Sequence, residues 1–116
     1  MDSSLFEELK PILKDKWLDY YEANQRMVIQ LMKNGHKLAY GNGFSRPNSE
    51  FILGIISVLE PRVEEYLFCF FLVSKDLDQI VSILGLNFNP EVELGRRREE
   101  NFKSQTSAII ASPQQN

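Results

Sequence analysis

The stretch NSEFILGIISVLEP, residues 48–61, decides the fold. Its apolar side chains occupy almost every side of a helix, where a surface helix would show one stripe. Because such a helix is normally surrounded by other elements, we expect it to be the central one. Asn48 or Ser49 is the expected N-terminal cap. Glu60-Pro61 ends the helix, since a residue before proline avoids helical backbone.

Helices are predicted on both sides of this segment. Upstream, apolar residues recur every three or four positions from Leu5 to Leu31, which is typical of an amphipathic helix. Asn24 interrupts that stripe once, and Asn34-Gly35 is the stop signal. Pro11 predicts either a short helix joined to a long one or a kink near Lys10. Downstream helices are expected over about 62–74, over 77–84 after an Asp76 cap, and from Pro90 onward.

Residues 37–46 are predicted to form a small β-hairpin. Its tip, GNG at residues 41–43, supplies residues that tolerate positive φ. A phosphate-binding loop is the alternative, but the lysine and the Ser/Thr of a P-loop are missing, so the plain turn is favoured. Arg46 follows the hairpin. It is structural if it pairs with an acid such as Glu50 or Glu60, and part of a binding surface if it points free beside exposed aromatic residues.

The expected fold is therefore mainly α, a bundle of four to five helices with a short β-hairpin between the first two long helices. Residues 1–100 form a single helical domain, and the polar residues 101–116 are expected to be a disordered tail.

Composition limits the classes of function. The chain has 116 residues, 43% hydrophobic and 25% charged, and a formal net charge of −3, so it is not a general nucleic-acid binder. A single cysteine excludes an internal disulfide. The acidic N-terminus lacks the features of a signal peptide, and no apolar run approaches the roughly 20 residues of a membrane span. We expect a cytoplasmic protein.

Catalytic, metal and cofactor sites are not indicated. His36 is the only histidine and has no partner at ligand spacing, so a surface loop residue is the better interpretation. Cys69 lies among phenylalanines and is expected to be an inert packing residue. No set of residues supports an enzyme.

The helix over 62–74 carries more apolar side chains than one face can bury. Its segment YLFCFFLV, residues 66–73, holds three phenylalanines, a tyrosine and two leucines. We expect about half of them to enter the core and the rest to contact other helices or a partner. The alternative is that the hairpin and the terminal helices cover the remaining apolar side chains, so that no partner is needed. On the central helix, Gly54 and Ser57 lie three residues apart and give one thin face for close packing.

Residues 77–103 offer a second interpretation, an imperfect helix–turn–helix for nucleic acid. The order of helix, Gly85 and helix fits that motif, but Glu91 stands where an apolar residue is expected. Glu91 and Glu93 would also face the phosphates, which is unfavourable. The basic residues of this alternative are Arg96, Arg97, Arg98 and Lys103.

Three motifs lie within residues 13–94. They are Lys-Trp-Leu followed by paired tyrosines, Arg-Pro before an apolar helix that ends in Leu-Glu-Pro, and the turn Leu-Gly-Leu-Asn-Phe-Asn-Pro. With these motifs the segment resembles a family of small cyanobacterial proteins, a domain of unknown function. The resemblance implies an intracellular helical domain of cyanobacterial origin and no activity.

The sequence favours a non-enzymatic protein-interaction or adaptor module that binds another protein or itself as a homodimer. Trp, Tyr and Arg are enriched at interface hot spots, and aromatic residues crowd the helix at 62–74. The candidate partner-binding residues are Trp17, Tyr20, Tyr21, Arg46, Tyr66, Phe68, Phe70 and Phe71.

Overall fold

The computed structural model describes residues 3–111, and within them the side chains of residues 4–106. This part of the chain is mainly helical, with six α-helices and one two-stranded antiparallel sheet. The elements in chain order are α1 (Ser3–Ala23), α2 (Gln25–Lys33), β1 (Lys37–Ala39), β2 (Ser45–Pro47), α3 (Ser49–Leu59), a 3-10 turn (Pro61–Val63), α4 (Glu64–Val73), α5 (Leu77–Ile83) and α6 (Pro90–Ala111).

The core lies between α3 and the helices that surround it. As predicted, α3 is central, and it packs against α1, α5 and the 3-10 turn. Its residues Ile52 and Ile56 are fully buried. The helix α6 packs against α1 on another side of the core, where Leu13 and Leu94 are buried. One side of α3 faces no other helix, however, since Gly54 is exposed and has no neighbour within 4 Å of an added Cβ atom.

The predicted helix caps and stops are confirmed. Asn48 caps α3, with its Oδ1 atom accepting a hydrogen bond from the Phe51 amide at 2.9 Å. Asp76 caps α5 in the same way, accepting from the Gln79 amide at 3.1 Å. Gly85 follows α5 with a φ of 80°, a left-handed conformation that glycine adopts without steric cost.

The predicted position of the break in the first helix is wrong. No break occurs at Pro11, which lies inside the continuous helix α1 with its ring exposed. The break lies at Asn24, where φ is −120° and ψ is 26°, and it divides the predicted long helix into α1 and α2. The Asn24 side chain stabilises the break, since its Nδ2 atom donates to the Tyr20 carbonyl at 3.0 Å. This division raises the number of helices to six.

The predicted hairpin is confirmed. Lys37 pairs with Pro47 and Ala39 with Ser45, in antiparallel register. At the tip, Gly43 has a φ of 86°. The Asn42 side chain accepts a hydrogen bond from the backbone amide of Phe44 at 3.2 Å. Gly43 therefore supplies the positive φ that was predicted for the tip of the hairpin.

The end of the chain is more helical than predicted. The expected tail, residues 101–116, begins inside α6, which continues to Ala111. Residues 112–116 lie outside the described range, so the disorder predicted for the tail and the domain boundary near residue 100 stay predictions. No helix in the described part of the chain is long and apolar enough to cross a membrane.

Candidate functional site: the α4 surface

The helix α4 has one face in the core. Leu67 is buried, and the rings of Tyr66 and Phe70 pack against Phe6 of α1 with centroid distances of 5.1 and 5.9 Å. These three positions lie on one side of a helix with 3.6 residues per turn. Phe6 therefore covers Tyr66 and Phe70 among the aromatic residues of α4.

The remainder of α4 is exposed and apolar. Phe68 is 58% exposed, Phe71 48%, Leu72 71% and Val73 83%. Their combined exposed area is on the order of 500 Å², taking roughly 150–250 Å² for a fully exposed large side chain. A patch of this size lies in the range of the largest apolar patches of monomers, which are often functional.

A groove of about 360 Å³ runs beside this face, between α3 and α4. Phe68 and Phe71 form part of its α4 wall, and Leu77 of α5 closes one end. Its α3 wall is low because it contains Gly54 and Ser57. The Ser57 hydroxyl donates to the Gly54 carbonyl at 2.8 Å, so its polar atom is already paired within the helix.

The thin face predicted on α3 thus lies in this open groove. No side chain of the described residues fills it, since an added Cβ atom at Gly54 would meet nothing within 4 Å. Small residues on a helix allow the backbone of another segment to approach closely. We refer to Phe68, Phe71, Leu72 and Val73, together with this groove, as the α4 surface.

The charges at the two ends of α4 have opposite signs. Glu64 and Glu65 lie in its first turn, and Lys75 follows two residues after its end. Within the described part of the chain, none of these three side chains makes a hydrogen bond or an ion pair. The α4 surface is therefore apolar in the middle, with two carboxylates at one end and the ammonium group of Lys75 at the other, where the neighbouring carboxylate of Asp76 is engaged in capping α5.

Of the predicted partner-binding residues, Phe68 and Phe71 lie on the α4 surface, whereas Tyr66 and Phe70 face Phe6. Leu72, Val73 and the groove were not among the predicted partner-binding sites. Helical periodicity could have placed Leu72 with Phe68, four residues earlier. Only the position of Phe6 shows that this pair is the exposed one.

Of the three predicted contact residues of α1, two are buried and one is half-buried. Trp17 is fully buried, and its ring lies 6.2 Å from the ring of Phe51. Tyr21 is buried too, and its hydroxyl donates to Glu91 Oε1 at 2.6 Å. Burial, and then the hydrogen bond to this carboxylate, raise the pKa of Tyr21 above its ordinary value. Tyr20 is half-buried beside Trp17.

Arg46 is a buried structural residue and not a surface one. Its guanidinium group donates to the Pro47 carbonyl at 2.9 Å, to Ser49 Oγ at 3.2 Å and to Asn87 Oδ1 at 2.9 Å. The acid beside it is Asp78, at 3.8 Å, and neither Glu50 nor Glu60. Burial lowers the pKa of Arg46, and the carboxylate of Asp78 partly opposes that shift.

Glu60 is the centre of an ionic cluster that was not predicted from the sequence. This buried carboxylate accepts hydrogen bonds from Arg62 at 2.8 Å and from Lys16 at 3.1 Å. The bonds from Arg62 and then Lys16 lower the pKa of Glu60, and the bond to Glu60 raises the pKa of Arg62. The cluster ties the end of α3 to α1, which is a structural role.

Two other sequence expectations concern reactive side chains. Cys69 was expected to be a packing residue, but it is exposed. His36 is exposed in the loop before β1, as expected. Within residues 3–111, no cluster of three or more His, Cys, Asp or Glu side chains could hold a metal ion.

The basic residues of the nucleic-acid alternative are engaged with carboxylates. Arg97 pairs with Asp19, and Arg98 pairs with Glu22 at 3.0 Å. These two contacts join α6 to α1. Two further pairs lie within α6, namely Arg96 with Glu93 at 2.9 Å and Lys103 with Glu99 at 3.6 Å.

Comparison with known proteins adds a family but no activity. A family model described as "Family of unknown function (DUF5331)" matches residues 3–116. No curated protein and no solved structure matches the chain. The match agrees with the resemblance to a domain of unknown function, and the cyanobacterial origin stays a prediction.

Proposed function

We propose that this chain, which belongs to the family of unknown function DUF5331 over residues 3–116, is a non-enzymatic protein-interaction module that binds through the α4 surface. One observation carries the proposal. Four large apolar side chains on one helix remain exposed, next to an open groove with a wall of small residues. An exposed apolar area of this size is a common mark of a protein-binding site.

The shape of the α4 surface favours a helix as the bound element. The groove lies between two roughly adjacent helices, and its low wall at Gly54 and Ser57 gives room for a third. A helix placed there would contact Phe68, Phe71 and Leu72 with residues spaced three or four apart, as in other helix-in-groove complexes. The acidic residues Glu64 and Glu65 at one end favour a partner with a basic residue near that point.

Binding experiments with paired variants test the proposal. Tagged wild-type protein, Leu72→Asp and Phe102→Asp are used to capture proteins from native extract, with and without nuclease. Leu72 and Phe102 are both highly exposed, but Phe102 lies on α6, outside the α4 surface. We expect a protein captured by the wild type and by the Phe102 variant, retained after nuclease, and lost with Leu72→Asp. Circular dichroism checks that both variants fold.

Other results would contradict the proposal. If both variants captured the protein equally well, the binding site would lie outside the α4 surface. Capture that nuclease abolishes would favour the nucleic-acid alternative over residues 77–103. The four basic side chains of that alternative are paired with carboxylates, which reduces the positive charge that they offer to phosphates.

A further inference from the structure

We infer that the partner of the α4 surface is a second copy of this chain, whose α4 packs antiparallel against α4 about a two-fold axis that passes beside the helix at the level midway between positions 69 and 70. The inference rests on the proposed function, because it uses the same surface. It adds the identity of the partner, its orientation and its register.

Charge complementarity sets the orientation. The acidic end of α4, at Glu64 and Glu65, and the basic end, at Lys75, lack partners within the described part of the chain. In an antiparallel pair the acidic end of each copy lies beside Lys75 of the second copy, which forms two favourable contacts. A parallel pair would put Glu64 and Glu65 beside their own copies, where like charges repel. A two-fold axis therefore makes the surface self-complementary.

The same pairing sets the register of the apolar side chains. If Glu64 lies opposite Lys75 of the second copy, the midpoint falls between Cys69 and Phe70. Phe68 then lies opposite Phe71 of the second copy, and the contact is repeated on the other side of the axis. Leu72 lies on the same side of the helix as Phe68, so it also enters the interface.

The area agrees with that of a protein dimer. The exposed apolar side chains of α4 contribute on the order of 500 Å² per copy. A standard interface buries about 800 Å² per partner. The charged residues at the two ends and the walls of the groove supply the rest. The area is enough for a specific dimer and small enough for one that dissociates on dilution.

Sedimentation velocity over a dilution series tests the dimer and its orientation. We expect the wild type to dimerise and Lys75→Glu to raise the dissociation constant about tenfold, since two exposed ion pairs become like-charge contacts. The triple variant Glu64→Lys, Glu65→Lys, Lys75→Glu restores opposite charges and should return the constant to near the wild-type value. Lys33→Glu, an equal charge change on α2 at an exposed residue, is the control and should have little effect.

Cross-linking through Cys69 tests the register, because Cys69 is the only cysteine in the chain. Antiparallel helices bring the same flank of both copies together, with axes about 8–10 Å apart. A short bis-maleimide should therefore join two Cys69 thiols. Cross-linking should disappear in Leu72→Asp and in a Cys69→Ser, Gln30→Cys variant, which moves the thiol to an exposed position on α2.

The outcomes separate this inference from the proposed function. A protein that stays monomeric at every concentration, but captures another protein through Leu72, overturns the inference and leaves the proposed function standing. A dimer that survives Leu72→Asp, or that Cys69 cannot cross-link, also overturns the inference, because the contact then lies elsewhere. A wild-type protein that neither dimerises nor captures another protein overturns both.

Discussion

Replacing Arg46 by methionine removes a buried cation from the point where the hairpin meets α3. The side chain reaches three different segments, through Pro47 of β2, Ser49 of α3 and Asn87 in the loop before α6. Methionine has a similar length and no charge, so it keeps most of the packing and removes the hydrogen bonds. We predict that Arg46→Met lowers the free energy of unfolding by about 3 kcal/mol.

That magnitude follows from the surroundings of the guanidinium group. The hydrogen bonds to Pro47 and Ser49 are buried, and a hydrogen bond from a charged donor contributes roughly 1.5–3 kcal/mol. Asn87 is exposed and can turn to water, so its loss adds little. Against this loss of about 3–6 kcal/mol, removing a buried charge recovers roughly 1–3 kcal/mol of desolvation cost. A domain with a stability of about 5–15 kcal/mol stays folded.

Urea denaturation followed by circular dichroism measures this difference. Arg26, an exposed arginine on α2, supplies the control, and Arg26→Met should change stability by less than about 0.5 kcal/mol. Arg46→Lys keeps the charge but not the planar fork, and should cost about 2 kcal/mol. If Arg46→Met costs less than about 1 kcal/mol with an unchanged m value, the hydrogen-bonded cluster contributes no net stability and the reasoning is wrong.

Three further changes test other parts of the fold. Gly54→Ala should stabilise the monomer by about 0.5–1 kcal/mol in urea denaturation, because alanine favours helix and the added Cβ atom meets nothing within 4 Å; a destabilised variant would mean that the groove is filled. Tyr21→Phe should cost about 1 kcal/mol in the same assay through loss of the bond to Glu91, and no change would contradict that role. Glu60→Gln should destabilise the protein at pH 7. The pKa of Glu60 is lower in the folded state than its ordinary value of 4.5. The ionised carboxylate therefore contributes its full stability above pH 4.5, and this contribution is lost progressively as the pH falls from 4.5 toward the lowered pKa of the folded state. A wild-type advantage that persists unchanged at pH 2 would contradict this explanation.

Local chemistry explains why so much of the secondary structure could be predicted. The caps at Asn48 and Asp76 and the stop at Gly85 depend on backbone groups within a few residues, so the sequence contains all of the interacting atoms. The break between α1 and α2 was missed for the opposite reason. Asparagine is compatible with a helix, and proline is the stronger breaking signal. Only the folded chain shows that Pro11 points outward while Asn24 closes α1.

The predicted binding residues were partly wrong because residue type does not report burial. Tryptophan, tyrosine and arginine are enriched at interfaces, and they are equally suited to buried sites that satisfy their polar atoms. Arg46 is buried and bonds to Asn87, 41 residues later in the chain. Tyr21 is buried and bonds to Glu91, 70 residues later. Separations of this length cannot be read from spacing along one element.

The packing of the core determines which side chains of α4 remain exposed. Every side of α4 from Tyr66 to Val73 is apolar, so its own periodicity does not distinguish the face that is buried. Packing against Phe6 uses Tyr66 and Phe70 and leaves Phe68 and Leu72 outside. A helix that only had to complete this core could carry polar residues at those two positions at no cost to the fold. Phe68 and Leu72 are 58% and 71% exposed, so they bury only part of their apolar surface in the monomer, and the binding that we propose would bury the rest.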